Sequence, residues 1–315
     1  MRRSVGLMQG KFAVLLATRN GQRFLDAQLR SLEQQDVNYI DVFASDDHST
    51  DDTVEILKHW QRTWSKGDFR IQKGPGEGHA RNFSSLLTSF QGSPDYVAFC
   101  DQDDMWDADK LRIGASTLDT IAPRSRPAVF GSRTRLIDAH DQLIGHSPLF
   151  ARGPSFHNAI VQSFAGGNTM VLNRAAFELT AESARRTDFV THDWWCYLIV
   201  TGAGGMAHYD REPRISYRQH GDNVIGSNNS AIARLLRVRQ LVEGRFASWN
   251  AIHLKALDLC ADLMCADALE VVRQFRAVRS TRGLSSVSLL RQTGIHRQTR
   301  LGNVALNAAA MLGKL

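Results

Sequence analysis

The chain has 315 residues, of which 43% are hydrophobic and 22% are charged, an ordinary balance for a globular protein with a large core. No apolar run approaches the roughly 18 residues of a membrane span, and residues 12–17 are too few for a signal peptide. The four cysteines lack CxxC spacing and zinc-site histidines, which argues against structural zinc and favours buried thiols. We therefore expect a cytoplasmic protein.

The net charge of +6 is unevenly distributed. From Ala231 onward the chain carries 13 Arg and Lys residues against 5 Asp and Glu, which leaves 25 basic and 27 acidic residues before it. A near-neutral body with a basic tail indicates an acidic partner. Candidates are a phosphate-rich ligand, a nucleic acid or the anionic face of a membrane.

The first 110 residues alternate between strand and helix patterns. Short apolar runs of buried type predict strands at residues 12–17, 40–45, 69–71 and 96–100. Apolar positions at helical spacing lie between them. This alternation implies right-handed crossovers and a parallel sheet, and so an α/β fold.

Polar residues follow each predicted strand. They are Thr18-Arg19-Asn20-Gly21, Asp46-Asp47, the glycine-rich stretch 74–82, and Asp101-Gln102-Asp103-Asp104. Ligands bind beyond the carboxyl ends of parallel strands, so we expect these clusters at one edge of the sheet. The absence of GxxxxGK[ST], and of GxGxxG after the first strand, argues against a P-loop kinase and a Rossmann dehydrogenase.

Three carboxylates within residues 101–104 repel one another, which raises their pKa values unless a cation lies between them. The simplest partner is Mg²⁺ or Mn²⁺, which prefer oxygen ligands. The alternative is a solvated acidic turn, where Asp is common.

The second half adds further elements. A strand is predicted at 127–131, a Gly166-Gly167 turn enters another strand, and Thr191-His192-Asp193 begins a helix. A strand from Ile215 ends in a polar loop that contains His220. From Ala231 the pattern is helical, and the linker 226–230 predicts domains at 1–226 and 227–315.

Together these motifs resemble family-2 glycosyltransferases of the GT-A fold, over roughly residues 11–225. The motifs that carry the resemblance are 17–21, 45–53, 78–83, 100–106, 165–169, 192–195 and 217–223. The last two are similar to bacterial rhamnosyltransferase-like enzymes of surface-polysaccharide synthesis. Arg19 departs from the Tyr that the family often has. The resemblance implies a Rossmann-like, mostly parallel central sheet flanked by helices, with a C-terminal helical extension.

The resemblance also implies roles for individual residues. Residues that would bind the nucleotide and donor sugar are Thr18, Asn20, Asp46, Asp47, Arg81, Asp101, Gly166 and Gly167. Residues that would hold the metal are Asp101, Asp103 and His220. Asp193 would be the catalytic base. Residues that would contact the acceptor are His192, Trp194 and Trp106, although buried tryptophans more often belong to the core.

The implied activity is metal-dependent transfer of a sugar from a nucleoside-diphosphate sugar, such as dTDP-rhamnose or a UDP-sugar. The acceptor would be a hydroxyl of a saccharide or a lipid-linked saccharide in cell-surface polysaccharide synthesis. One base without a neighbouring nucleophile favours inversion by single displacement. The alternatives are a sugar nucleotidyltransferase and a non-catalytic binder of nucleotide sugar or nucleic acid, although no nucleic-acid motif is present. The basic C-terminal helices would allow peripheral association with the inner, anionic membrane face.

Overall fold

A seven-stranded mixed sheet forms the centre of the protein in a computed structural model that describes residues 8–220 and 244–315. Its strands are β1 (Met8–Thr18), β2 (Val37–Asp46), β3 (Phe69–Lys73), β4 (Tyr96–Cys100), β6 (Ala128–Ser132), β9 (Val171–Asn173) and β10 (Met206–Asp210). They lie in the order β10-β6-β9-β4-β1-β2-β3. Only β9 runs antiparallel to its neighbours β4 and β6 in this described sheet.

A second, smaller sheet is built from four short strands. They are β5 (Met105–Trp106), β7 (Arg135–Ile137), β8 (Leu143–His146) and β11 (Ile215–Arg218), in the order β5-β11-β7-β8. β11 pairs antiparallel with β5 and parallel with β7. This sheet connects the segment after β4 to the segment that leads to His220.

Helices cover both faces of the large sheet and continue to the end of the chain. They are α1 (Leu25–Glu33), α2 (Thr53–Thr63), α3 (His79–Ser89), α4 (Lys110–Ile121), α5 (Phe156–Ala159), α6 (Arg174–Arg186), α7 (His192–Gly202), α8 (Arg245–Leu259), α9 (Ala266–Ser280), α10 (Gly283–Gln292) and α11 (Arg300–Met311). None of the helices in the described ranges combines the length and apolar character needed to cross a bilayer.

The predicted α/β alternation is confirmed. The central residues of β1 and β4 are buried on both faces, as expected for strands covered by helices on both sides of a sheet. β1 pairs in parallel with both β2 and β4. Cys100, Cys196 and Cys260 are buried and all four cysteines are free thiols.

The C-terminal helices pack on the rest of the protein and share its core. Phe246 and Leu257 of α8 belong to the same cluster of buried side chains as Trp195. Trp194 contacts the ring of Trp249 with the ring centroids 6.0 Å apart. The predicted boundary at residue 226 and the linker 226–230 lie outside the described residues, so the division into two domains stays a prediction.

The shared core predicts that the C-terminal helices unfold together with the sheet. Leu257→Ala removes a side chain that is 1% exposed, and we expect the free energy of unfolding to fall by about 2–5 kcal/mol. Leu259→Ala, two residues later on the same helix and 50% exposed, should change it by about 0.5 kcal/mol at most.

Urea unfolding followed by tryptophan fluorescence and by circular dichroism measures both variants. We expect both signals of the Leu257→Ala variant to shift together. A shift in one of two separate transitions, with the other unchanged, would show that the helices fold independently.

Candidate active site

A cavity of about 800 Å³ opens at the carboxyl ends of β1, β2 and β4. All the predicted polar clusters contribute to its wall, which confirms that they meet at one edge of the sheet. The predicted site residues that line it are Thr18, Asn20, Asp47, Asp101, Asp103, Gly166, Gly167, His192, Asp193 and His220.

Asp46 stabilises the loops beside the cavity but does not line the cavity. Its carboxylate accepts hydrogen bonds from the Thr18 hydroxyl at 3.0 Å and from the Ser49 backbone N–H at 2.9 Å. The side chain is buried. Asp46 therefore fixes the loop after β2. Its side chain does not face the cavity, so the predicted direct contact with the nucleotide is corrected.

Asp47 organises the glycine-rich loop. Its two carboxylate oxygens accept hydrogen bonds from the backbone N–H of Gly76 at 2.6 Å and of Gly78 at 2.8 Å. Both glycines have positive φ angles, of 76° and 92°, which side chains with a Cβ rarely adopt. Arg19 Nη1 lies 3.8 Å from the same carboxylate, so a cation stands where the family often has Tyr.

Asp101 and Asp103 face the cavity with different partners. His79 Nε2 lies 3.1 Å from Asp101 Oδ1, and His220 Nε2 lies 2.7 Å from Asp103 Oδ2. Burial opposes ionisation of Asp101, but the hydrogen bond and charge of His79 outweigh it and lower the pKa of the Asp101 carboxyl. Burial and the neighbouring Asp101 charge raise the pKa of Asp103. The ionised form of Asp101 is thus stabilised, whereas the ionised form of Asp103 is destabilised and would gain from a nearby cation.

Asp104 is a residue whose role the sequence did not reveal. It is fully buried and accepts hydrogen bonds from Asn168 Nδ2 at 2.6 Å and from the Arg218 backbone N–H at 3.1 Å. Arg218 Nε in turn donates to the carbonyl of Asp103 at 2.9 Å. Asp104 therefore ties the acidic loop to the Gly166-Gly167 turn and to β11. Burial and the two neighbouring carboxylates raise its pKa well above the usual range.

His192 is buried against aromatic rings and against Gly167. Its ring stacks on Phe83 with centroids 3.7 Å apart, and neither ring nitrogen has a hydrogen-bond partner within the described residues. Burial, followed by the charge of His79, lowers the pKa of His192 to about 3, so the ring is neutral. A Cβ at Gly167 would lie 2.0 Å from His192 Nε2, which requires glycine at that position.

Asp193 lies in the first turn of α7 and lines the cavity. Burial raises the pKa of its carboxyl, and a hydrogen bond from the Thr191 side chain offsets part of that effect. A carboxylate whose pKa is raised towards neutrality is better suited to accept a proton than an exposed one. The structure thus brings Asp193 to the same cavity as Asp47 and Asp101.

The cavity lining leaves out four predicted site residues: Asp46, Arg81, Trp194 and Trp106. Arg81 forms an ion pair with Asp188, with Nη2 3.0 Å from Oδ2. Trp194 is buried and donates to the Ala159 carbonyl at 2.7 Å, and Trp106 is buried beneath the Lys110 ammonium, 3.1 Å from the ring centroid. The expectation of acceptor contacts by the two tryptophans is therefore corrected, because both serve the core.

Part of the cavity wall is apolar, and its residues were not found from the sequence. Its lining residues include Pro148, Phe150, Phe164 and Tyr209. The Phe150 and Tyr209 rings contact each other with centroids 5.5 Å apart. They come from the loop after β8 and from β10, and neither segment carries a motif that marks a site.

The carboxylates of the cavity wall are ligands suited to a divalent cation, but they are not grouped around one point as the ligands of a bound ion would be. In the described ranges, no group of three or more His, Cys, Asp or Glu side chains is placed to hold a metal. His220 lies against Asp103. The carboxylates of Asp101 and Asp103 are nevertheless hard oxygen donors on one cavity wall, and their mutual repulsion is what a cation would relieve.

Comparison with known proteins agrees with this geometry. The family described as "Glycosyl transferase family 2" matches residues 13–214. The chain is 29% identical over 232 residues to a dTDP-rhamnosyl transferase RfbG of Shigella flexneri, which covers 71% of this chain and 78% of that protein. It is 30% identical over 123 residues to a GalNAc(5)-diNAcBac-PP-undecaprenol beta-1,3-glucosyltransferase of Campylobacter jejuni, covering 39% and 38% of the two chains.

A solved structure is similar in fold. TarS 1-349 of S. aureus in complex with UDP-GlcNAc superposes with a TM-score of 0.53 at 14% identity, over 96% of this chain and 89% of that one. The predicted GT-A architecture is thereby confirmed.

The contact between Gly167 and His192 gives a prediction that is specific to the site. Gly167→Ala should lower the free energy of unfolding by about 1–3 kcal/mol through overpacking and should weaken donor binding. In a His192→Ala background the same change should cost much less, because the clashing ring is gone.

Thermal and urea unfolding of the four proteins in this cycle measures the coupling. Gly153→Ala is the matched control, since nothing lies within 4 Å of a Cβ built there. Equal costs of Gly167→Ala with and without His192 would contradict the argument.

Proposed function

The chain belongs to glycosyl transferase family 2, and from that premise we propose that it is an inverting transferase that moves a sugar from a nucleoside-diphosphate donor to an acceptor hydroxyl. The observation that carries the proposal is the placement of Asp193, a half-buried carboxyl with a raised pKa, on the wall that also holds Asp101 and Asp103. Membership of the family decides against a nucleotidyltransferase and against a non-catalytic binder.

We assign the nucleotide end of the donor to the part of the cavity around Thr18, Asn20 and Asp47. The Asp47 carboxylate keeps lone pairs beyond its two bonds to Gly76 and Gly78, and these would accept a hydrogen bond from a pyrimidine N–H. Gly166 and Gly167 form a backbone wall without side chains, which allows the donor sugar to lie close. The relative named as a dTDP-rhamnosyl transferase supports dTDP-rhamnose as the donor.

The proposed base is Asp193. It would take the proton from the acceptor hydroxyl as that oxygen attacks the anomeric carbon. Among the described residues that line the cavity, the other carboxylates are Asp47, Asp101 and Asp103. Each of these already binds the glycine loop or a histidine. Because no carboxylate remains as a nucleophile, single displacement with inversion is the scheme that fits.

We propose that Asp101 and Asp103 hold Mg²⁺ or Mn²⁺, with His220 beside them. Such an ion would neutralise the charge that develops on the departing diphosphate. His220 Nε2, which lies 2.7 Å from Asp103 Oδ2, would stand beside such an ion and the diphosphate. Asp104 keeps the loop in place throughout, because its partners are Asn168 and Arg218.

The apolar part of the cavity wall has the shape and chemistry to bind a saccharide acceptor. The neighbouring rings of Phe150 and Tyr209 offer the flat surface on which sugar rings pack. A saccharide or lipid-linked saccharide of cell-surface polysaccharide synthesis is the acceptor class that we propose.

The proposal is tested with a panel of donors: dTDP-rhamnose, UDP-glucose, UDP-GlcNAc and GDP-mannose. We expect slow donor hydrolysis with dTDP-rhamnose as the best substrate, with Mn²⁺ or Mg²⁺ required and EDTA abolishing turnover. Asp103→Asn should raise the metal concentration needed for half-maximal activity. Full turnover in EDTA would overturn the metal assignment, and hydrolysis of none of these donors would overturn the donor class.

The base assignment predicts a variant and a pH profile. Asp193→Asn should lower kcat by about 10²–10⁴-fold while the donor KM stays nearly unchanged. Because burial raises the pKa of Asp193 above its usual 3.8, the base is protonated at a higher pH than an exposed Asp. Wild-type activity should therefore fall on the acid side, through a pKa above 3.8, and the fall should be absent from the residual activity of the variant.

Asp188→Asn is the matched control, since Asp188 is exposed and pairs with Arg81 away from the cavity. It should retain wild-type kcat. An Asp193→Asn enzyme with wild-type transfer would remove Asp193 from the mechanism.

A further inference from the structure

The last 35 residues of the chain combine unbalanced positive charge with exposed apolar side chains. Residues 281–315 contain five Arg and Lys residues and no Asp or Glu. They also contain five of the large apolar side chains exposed within the described ranges. We call these five the docking surface: Leu284, Leu301, Val304, Met311 and Leu312.

The docking surface centres on the outer face of α11. Leu301 and Val304 are 68% and 65% exposed, and positions 301, 304, 308, 311 and 312 share one side of a helix. The opposite side, with Leu306 and Ala310, is buried in the core. The helix is therefore apolar on both sides, whereas the solvent-facing side of a surface helix is ordinarily polar.

α10 extends the same surface. Leu284, near its start, is 81% exposed. A Cβ built at Gly313 would lie 3.1 Å from Arg282 Nε, so the start of α10 lies beside the end of α11. The exposed Leu284 and Leu312 are each within two residues of this contact.

The basic side chains around the docking surface are not neutralised by acidic neighbours in the described part of the chain. Arg282, Arg291, Arg300 and Lys314 form no ion pair with any residue in the described ranges. α9 is different, because Arg273 pairs with Glu270 and Arg276 pairs with Asp258.

We propose that the docking surface binds the protein to an anionic lipid bilayer. Apolar side chains would enter the interface between head groups and acyl chains, while the surrounding basic side chains contact anionic head groups. A second copy of the chain is a poorer occupant, because two copies would bring their unbalanced positive charges together. The surface chemistry therefore selects the bilayer.

The sequence predicted membrane association through the basic C-terminal helices, and the docking surface is only part of that region. Of the other basic residues in the region, 234, 237 and 239 lie outside the described residues. Arg245 packs over the Trp249 ring and Arg273 pairs with Glu270. The proposal therefore narrows the predicted membrane contact from the C-terminal helices as a whole to residues 281–315.

The docking surface is joined to the cavity wall. Asn158 Nδ2 donates to the His296 carbonyl at 3.0 Å, and the Gln298 N–H donates to Gln162 Oε1 at 3.0 Å. Residue 162 directly precedes the cavity-lining stretch that begins at Ser163. A bilayer on this surface would therefore lie at a set position relative to the site. The inference itself does not depend on the proposed reaction.

Co-sedimentation of the full chain with vesicles tests the proposal without any measure of activity. We expect binding to phosphatidylcholine vesicles that contain phosphatidylglycerol, little binding to pure phosphatidylcholine, and release at high salt. Leu301→Ser/Val304→Ser and Arg291→Gln/Arg300→Gln should each lower the vesicle partition coefficient by about tenfold or more. All these side chains are exposed, and circular dichroism with thermal unfolding confirms that the variants are folded.

Two matched variants serve as controls. Leu259→Ser/Leu269→Ser removes exposed leucines from α8 and α9, and Lys255→Gln/Arg273→Gln removes two charges from the same helices. Both should bind vesicles like the wild type. The proposal is overturned if the wild type stays in the supernatant or if the controls lose as much binding. It is also overturned if light scattering shows an oligomer that Leu301→Ser/Val304→Ser dissociates while vesicles bind neither protein.

Discussion

The repulsion among Asp101, Asp103 and Asp104 is the constraint on which the site depends. These carboxylates follow the buried strand β4 directly, where burial disfavours their ionised forms and each charge raises the pKa of its neighbours. Each of the three carboxyl groups has its own hydrogen-bond partners. His79 stabilises Asp101, His220 contacts Asp103, and the Asp104 carboxylate accepts from the Asn168 amide and from a backbone N–H. These partners come from three distant segments, around residues 79, 168 and 218–220, so the acidic loop contacts both halves of the chain.

Much of this arrangement follows from local sequence. Short apolar runs predicted the strands from β1 to β4, and the polar residues after them predicted one common edge, because parallel strands all end on the same side. Of the small sheet only β11 was predicted, as the strand from Ile215, because β5 has two residues and β7 only three. Strands of that length leave no periodic pattern, and their pairing depends on contacts between residues about 80 to 110 positions apart.

Residue type did not separate site residues from structural ones. Arg81 and Asp47 both lie beside polar motifs. Arg81, however, forms an ion pair with Asp188, 107 positions later in the chain, and does not line the cavity. Asp104 stands next to two cavity carboxylates and is itself fully buried. The decisive information in both cases is the long-range partner. A sequence pattern places a residue at the edge of the sheet and does not tell which way its side chain points.

The pKa values of Asp101 and Asp193 are shifted in opposite directions within one cavity, which suits the two roles proposed for them. The imidazole of His79 outweighs burial and lowers the pKa of Asp101, while burial outweighs the Thr191 hydrogen bond and raises that of Asp193. Paired carboxyls whose environments push their pKa values apart commonly divide permanent charge from proton transfer. In the proposed mechanism Asp101 would stay ionised as a ligand for a cation, and Asp193 would exchange a proton. The neutral, buried His192 beside Asp193 adds no positive charge that would cancel its raised pKa. The same residue requires Gly167 at the wall where the donor sugar is proposed to lie.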